Sequence, residues 1–302
     1  MRYISAQPGQ LYFCWQIDVM ISSFIRVGIE QDKIDIIFSD FKNDINEYIL
    51  LKIKYPKVNF HIYPDTRTNI KYISSIRPHL LKKHFKKYWW KYRGTFMYHD
   101  CDIVLTKPLD LSDKLCGCDP NCYLSNTKSY IGYDYILSKG EDVLDLMCSV
   151  VGIDKNILKD NQENSGGCQY VLKDINAKFW EDVENDCENL YSQVFKLNNK
   201  KKKKDKDYHE LQIWCADMWA VLWNLWKIDK PTKIIKELDF TWATHSIDSW
   251  EKNSIYHNAG IVSSKNKEFQ KGHYRTKKPP KDLEVNPNLA CYNYYQLIKE
   301  IL

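Results

Sequence analysis

The residues best suited to chemistry lie in Phe96-Met97-Tyr98-His99-Asp100-Cys101-Asp102-Ile103-Val104-Leu105. An apolar run leads to a tight acidic pair and then resumes as Ile-Val-Leu. Two carboxylates two residues apart on extended backbone project to the same side. There they can hold one hard divalent cation, which takes oxygen ligands and can bridge phosphate oxygens. The chemistry-free alternative is a solvated turn between two strands.

Several distant residues could complete such a site. His257, in Ile255-Tyr256-His257-Asn258-Ala259-Gly260-Ile261, could be a third ligand for the cation, and Lys271 or Arg275 could neutralise a diphosphate. Tyr72 and Arg77 offer a ring for a base to stack on and a guanidinium for a phosphate or carboxylate. In Asn164-Ser165-Gly166-Gly167-Cys168-Gln169, paired glycines before a strand permit close backbone approach by a ligand, with Asn164 and Gln169 as hydrogen-bonding groups; a plain turn explains the glycines equally well. Asp217 lies in an otherwise apolar segment, where a carboxylate is costly to bury without a partner. Cys116, Cys118 and Cys122 cluster, but a zinc site would need a fourth ligand that the sequence does not supply.

The elements that must position these residues follow from periodicity. Residues 2–6 read as a strand, Trp15 to Gly28 as a helix, Ile34 to Phe38 as a second strand, Asn43 to Lys54 as a second helix and Val58 to Tyr63 as a third strand. That alternation predicts a mostly parallel sheet with helices packed on it. Pro78 fits the first turn of a helix whose Leu80, Leu81 and Phe85 face inward and whose Lys82, Lys83, Lys86 and Lys87 form the wet face. Gly94 to Tyr98 is the fourth strand and delivers Asp100 and Asp102 to its carboxyl end, where ligands collect in open α/β sheets. Residues 174–197 read as an acidic helix, Lys200 to Lys204 as a flexible loop, and Glu210 to Trp226 as a helix burying Trp219, Leu222, Trp223 and Trp226.

Composition narrows the class. The 302 residues are 44% hydrophobic and 27% charged, with a net charge of +5, as expected of a soluble globular protein with a sizeable core. No apolar run approaches the roughly 20 residues needed to cross a bilayer. The N-terminus reads as a strand without a signal-peptide h-region, so a cytoplasmic location with reduced cysteines is expected. The lysine run could help hold a polyanion, and the 10 Trp and 21 Tyr suit sugar rings and nucleobases as well as cores.

The early sheet, Asp-x-Asp at the end of the fourth strand, Asn-x-Gly-Gly and His-Asn-Ala-Gly, in that order, resemble the GT-A glycosyltransferases. Gln7-Pro8, Tyr12-Phe13, Trp15-Gln16 and Trp214 through Trp226 are most similar to the branch related to hydroxyproline arabinosyltransferases and peptidyl-serine galactosyltransferases. The resemblance spans roughly residues 2–280. It implies one GT-A, Rossmann-like domain over 1–302, with a nucleotide-binding half (1–110) and an acceptor and metal-completing half (111–302). It further implies a hexosyl- or pentosyltransferase using a nucleotide-sugar donor, foremost a UDP-sugar. Asp100, Asp102 and His257 would hold Mn²⁺ or Mg²⁺ on the diphosphate, and Tyr72, Arg77 and Lys271 would hold the nucleotide. Asn164, Gly166, Gly167 and Gln169 would line the sugar pocket. Asp217 would be the carboxylate nearest the reacting carbon, as base in an inverting reaction or positioning group in a retaining one.

The acceptor expected is a glycan, a protein or a modified DNA base, the last as for some viral and phage enzymes. Two other classes compete: a nucleotidyltransferase, for which Gln7-Pro8-Gly9-Gln10 is a poor phosphate loop, and a non-catalytic carbohydrate or nucleic-acid binder.

Overall fold

A computed structural model describes residues 1–115 and 119–302. Its main elements in chain order are β1 (Arg2–Gln7), α1 (Leu11–Arg26), β2 (Ile34–Ser39), α2 (Ile45–Lys54), β3 (Asn59–Tyr63), α3 (Ile76–Tyr88), β4 (Thr95–His99), β5 (Ile103–Leu105), β6 (Cys122–Asn126) and four short helices: α4 (Lys128–Ile131), α5 (Tyr133–Leu137), α6 (Glu141–Val151) and α7 (Lys155–Asp160). There follow β7 (Gly166–Lys173), α8 (Ala177–Lys204), α9 (Ala216–Lys227), β8 (Thr232–Ile234), β9 (Phe240–Trp242), β10 (Ile255–His257) and α10 (Ala290–Ile301). A seven-stranded sheet has the order β3-β2-β1-β4-β7-β6-β8, and a three-stranded sheet has the order β5-β10-β9. This is the helix-flanked, mostly parallel α/β sheet expected.

The chain divides into two compact units, Met1–Pro64 with Tyr98–Leu115 and Glu237–Leu302, and Asp65–Met97 with Cys116–Lys236. In the first unit β1, β2 and β3 run parallel, with Ala6 opposite Ile37 and Ile37 opposite His61. Every residue of β2 is buried, as a strand covered on both faces requires. Its aromatic core joins Trp15 of α1 to Tyr256, Phe269, Tyr294 and Tyr295. The Trp15 indole N–H donates to the Tyr274 carbonyl at 3.1 Å, so this buried ring keeps its polar atom satisfied. Helix α1 begins at Leu11 rather than Trp15, because the single Gln10 carbonyl accepts from the Phe13 and Cys14 N–H groups.

In the second unit α8 packs on α3, α6 and α9. Leu80, Leu81 and Phe85 are buried as the periodicity predicts. The wet face of α3 is only partly wet: Lys86 and Lys87 are exposed, but Lys82 is half-buried and pairs with Glu184 at 2.6 Å.

The lysine run corrects the expectation of a loop. Lys200 to Lys204 belong to the last turns of α8. Lysine is a good helix former, and cations at a helix C-terminus meet its negative dipole end. Lys201 also pairs with Asp142 at 2.6 Å, and Lys202 with Glu210 at 3.3 Å. Conversely, the helix predicted from Glu210 starts at Ala216, after a short 3₁₀ turn over Ile213–Cys215. Trp219, Leu222, Trp223 and Trp226 are its buried stripe, as predicted.

Among the described residues, no helix is long and apolar enough to cross a membrane. Cys122 is buried in β6, whereas Cys116 and Cys118 lie outside the described residues.

Candidate active site

The acidic pair lies where strand β4 ends, but not on extended backbone. Asp100 to Asp102 form the turn into β5, so strand alternation does not aim the two carboxylates. Register does. Strand β10 runs antiparallel to β5 with His257 opposite Ile103, and the Asn258 N–H donates to the Asp102 carbonyl at 3.0 Å. That pairing carries His257 to the pair: its Nε2 lies 3.2 Å from Asp102 Oδ1 and 3.7 Å from Asp100 Oδ2. The Phe240 ring packs edge-on to the imidazole at 5.1 Å. Lys271, in a 3₁₀ turn over Lys271–Tyr274, reaches Asp102 Oδ2.

The His257 nitrogen thus faces one oxygen of each carboxylate, and Asp102 is only 5% exposed. Gathering two carboxylates in a half-buried turn is unfavourable without positive charge, and Lys271 supplies part of it. A divalent cation fits the donor set. Separations of 3.2 and 3.7 Å approach the roughly 3 Å between neighbouring ligands of an ion bound at about 2.1 Å.

Two supporting residues were given no role from the sequence. His99 is buried, and its Nδ1 donates to the Asp100 carbonyl at 2.9 Å, tying the strand end to the turn. Burial lowers its pKa to about 4, so the ring stays neutral. Asn258 accepts from the Tyr256 hydroxyl at 2.8 Å, besides its bond to the turn. The sequence signals for them are adjacency, His99 to the acidic pair and Asn258 to His257. Further along this segment, Gly260 has φ +81°, and a Cβ there would stand 2.9 Å from the Trp242 ring, so glycine is required by both backbone and packing.

In the second unit a different group of predicted residues comes together. Asp217 opens α9, and each of its carboxylate oxygens has a donor: Tyr72 Oη donates to Oδ1 at 2.6 Å and Arg77 Nη2 to Oδ2 at 2.5 Å. The partner that burial of Asp217 demands is thus this pair. The Tyr72 hydroxyl also lies 2.5 Å from the Trp214 carbonyl, and its ring stacks on Tyr191 at 5.0 Å. At 3% exposure that ring has no open face for a base, which corrects the stacking expectation. Burial, then the Asp217 charge, pushes the Tyr72 hydroxyl well above its ordinary pKa, so it remains a donor. Glu188, unforeseen in the sequence, braces the same loop by accepting from the Lys71 and Tyr72 N–H groups and the Ser75 hydroxyl at 2.8, 3.1 and 2.5 Å.

The glycine segment has a packing explanation. Gly166 and Gly167 are the first residues of β7, not a turn before it. A Cβ on Gly166 would lie 2.4 Å from the Ser125 carbonyl and from Ile234 Cδ1; one on Gly167 would lie 2.5 Å from Met218 Cε. The close approach is by the protein itself. The β6–β7 register then slips: Ser125 faces Gly167 while Leu124 faces Tyr170. Cys168, at φ +69°, takes the left-handed backbone of this bulge. Gln169 is fully buried and accepts from the Ser125 hydroxyl at 2.7 Å. The Asn164 carbonyl accepts from Thr232 at 3.1 Å. Arg275 caps the 3₁₀ turn that bears Lys271.

No model of a known protein family and no curated protein matches the chain. Solved structures resemble its course. The galactosyltransferase LgtC, crystallised with donor and acceptor sugar analogues, aligns over 100% of this chain and 96% of its own at 12% identity, with a TM-score of 0.46. The bifunctional glycosyltransferase WbbM aligns over 86% of this chain at 10% identity, with a TM-score of 0.47; this chain spans 46% of its length. Mouse xyloside xylosyltransferase 1 aligns over 86% of this chain and 100% of its own at 9% identity, with a TM-score of 0.40. At these scores the likeness carries no functional weight; the side chains must carry it.

Proposed function

We propose that the protein is a metal-dependent GT-A-type glycosyltransferase that moves a sugar from a nucleotide-sugar donor, foremost a UDP-sugar, to an acceptor hydroxyl. The observation that supports this reading is that the His257 nitrogen faces an oxygen of both Asp100 and Asp102, with Lys271 on Asp102. Bound there, Mn²⁺ or Mg²⁺ would offset the negative charge that grows on a departing diphosphate. Asp100 and Asp102 would supply oxygen ligands and His257 a nitrogen. Lys271 balances the carboxylates now and could turn its ammonium to a phosphate oxygen when the donor binds.

Asp217 is the candidate reacting carboxylate. Tyr72 and Arg77 fix its orientation, and each oxygen keeps a lone pair beyond the bond it already accepts. Such a carboxylate can receive a substrate hydroxyl without first reorganising. Arg77 and Tyr72 then act as positioning residues. A saccharide or protein acceptor is preferred over DNA, because Lys201 and Lys202, part of the cationic run on which the DNA reading leaned, are paired with acids of this chain.

The test is incubation of the protein with a panel of nucleotide sugars and Mn²⁺. Slow release of free nucleoside diphosphate, abolished by chelation and by Asp102→Ala, is expected. Pyrophosphate release would point instead to nucleotidyl transfer, and no turnover of any donor would overturn the reading.

A further inference from the structure

We infer that the protein docks on anionic phospholipid surfaces through the end of α3 and the turn that follows it. The segment reads Lys86-Lys87-Tyr88-Trp89-Trp90-Lys91-Tyr92-Arg93. Trp89 and Trp90 form a 3₁₀ turn with Lys91 and Tyr92 and are 48% and 54% exposed. Tyr92 is the inward anchor: it is buried, stacks on Phe85 at 4.5 Å and hydrogen-bonds His84 at 2.7 Å. The turn therefore has a fixed base and holds two large indoles outward. Trp is a costly residue to leave half in water, and neighbouring exposed indoles mark a contact surface.

Charge identifies the partner. From Thr66 to His99 the chain contains no Asp or Glu. Around the indoles stand Lys86, Lys87, Lys91 and Arg93. Arg93 lies over the Trp89 ring at 4.1 Å, and Lys87 and Lys91 lie over Tyr88 at 5.2 and 5.1 Å. Two acids face this group: Glu181 of α8, 3.9 Å from Lys86 and 3.7 Å from Lys178, and Asp174, which accepts from the Gly94 N–H at 3.1 Å and lies 3.7 Å from Lys230. An amphipathic ring seats at the headgroup level of a bilayer, with its apolar body toward the acyl chains. Lysine and arginine stems follow that surface while their heads reach lipid phosphates. Two indoles with a basic rim supply the two signals, apolar and electrostatic, that stable surface anchoring needs. A protein partner would accept the indoles, but the rim of cations around them, Lys87, Lys91 and Arg93, favours a continuous anionic surface. Docking of this kind requires no membrane span and does not depend on the transferase reading.

The test is co-sedimentation of the whole protein with phosphatidylcholine vesicles, with and without phosphatidylglycerol. Binding to the mixed vesicles, weak binding to phosphatidylcholine alone, and quenching of Trp fluorescence by brominated lipid are expected. Trp89→Ala with Trp90→Ala should weaken binding by at least about tenfold. Lys87→Ala with Lys91→Ala should weaken it by roughly fivefold for each cation and remove the anionic preference. These side chains project outward, so circular dichroism of both variants should match the parent. Absence of vesicle binding, binding indifferent to both variants, or capture of the segment by duplex DNA in place of vesicles would each overturn the inference.

Discussion

Two groups of carboxylates in this protein are treated in opposite ways. In the first unit Asp100 and Asp102 crowd beside one imidazole, with the Lys271 ammonium on one of them. In the second unit each of three carboxylates has its own protein donors: Asp217 has Tyr72 and Arg77, Glu188 has two backbone N–H groups and Ser75, and Glu184 has His79 and Lys82. A crowded set of acceptors gains from an added cation, because lone pairs outnumber donors. A carboxylate whose two oxygens both have protein donors needs no added cation to offset its charge and holds the backbone around it in place. In the proposed function the difference would separate a ligand site from a scaffold that orients a reacting group.

The largest effect should fall on the crowded group. Asp102→Ala is expected to remove Mn²⁺ binding by titration calorimetry and to cut transfer by about a thousandfold. Lys271→Met should do the reverse to the metal, tightening Mn²⁺ severalfold because the ammonium no longer competes for Asp102. Equal Mn²⁺ affinity in both variants and the parent would erase the contrast between the two groups.

On the donor-paired side, Asp217→Asn should lower turnover by about a hundredfold with little change in donor KM. Tyr72→Phe should cost about tenfold, since Arg77 still holds the carboxylate. If Asp217→Asn unfolds the protein but spares turnover in the remaining folded fraction, the residue is scaffold alone. Gly166→Ala should destabilise by about 2–3 kcal/mol in chemical denaturation, because its Cβ would meet the Ser125 backbone. An alanine variant of full stability with impaired donor binding would return that glycine to a ligand role.

The smallest effect is a pH-dependent one. Burial alone would raise the Glu184 carboxyl, but hydrogen bonds from His79 and Lys82 outweigh it and hold its pKa below the ordinary glutamate range. A depressed folded-state pKa adds stability above the unfolded value, near 4.3, that is lost as pH falls through the lower folded value. Glu184→Gln should therefore cost about 1–2 kcal/mol at neutral pH. The gap from the parent should close in acid, as thermal melts across pH 3–7 would record. A gap that stayed constant with pH would show that the loss is packing rather than charge.

Much of the frame was legible in the residues. The alternation from Arg2 to Tyr63 gave the parallel strands and their helices because hydrophobic period alone separates the two. Trp219, Leu222, Trp223 and Trp226 announced their buried stripe in the same way. The lysine run misled because solvation and helix propensity point in different directions for lysine, and only the neighbours Asp142 and Glu210 favour the helix. Gly166 and Gly167 misled because a glycine required by a ligand and one required by a neighbouring strand look alike in sequence. Tyr72 gave no sign that its ring would be spent on Tyr191 and its hydroxyl on Asp217.

The sequence by itself determined the helix-flanked α/β frame and the placement of Asp100 and Asp102 at the end of β4, because both follow from local period and strand length. The tertiary structure decided how that pair is completed. His257 arrives through the β5–β10 register, Lys271 through a 3₁₀ turn far along the chain, and Asp217 receives Tyr72 and Arg77 from a distant loop and helix. Pairing across more than a hundred residues is set by packing and register, and neither is written in the spacing of a motif.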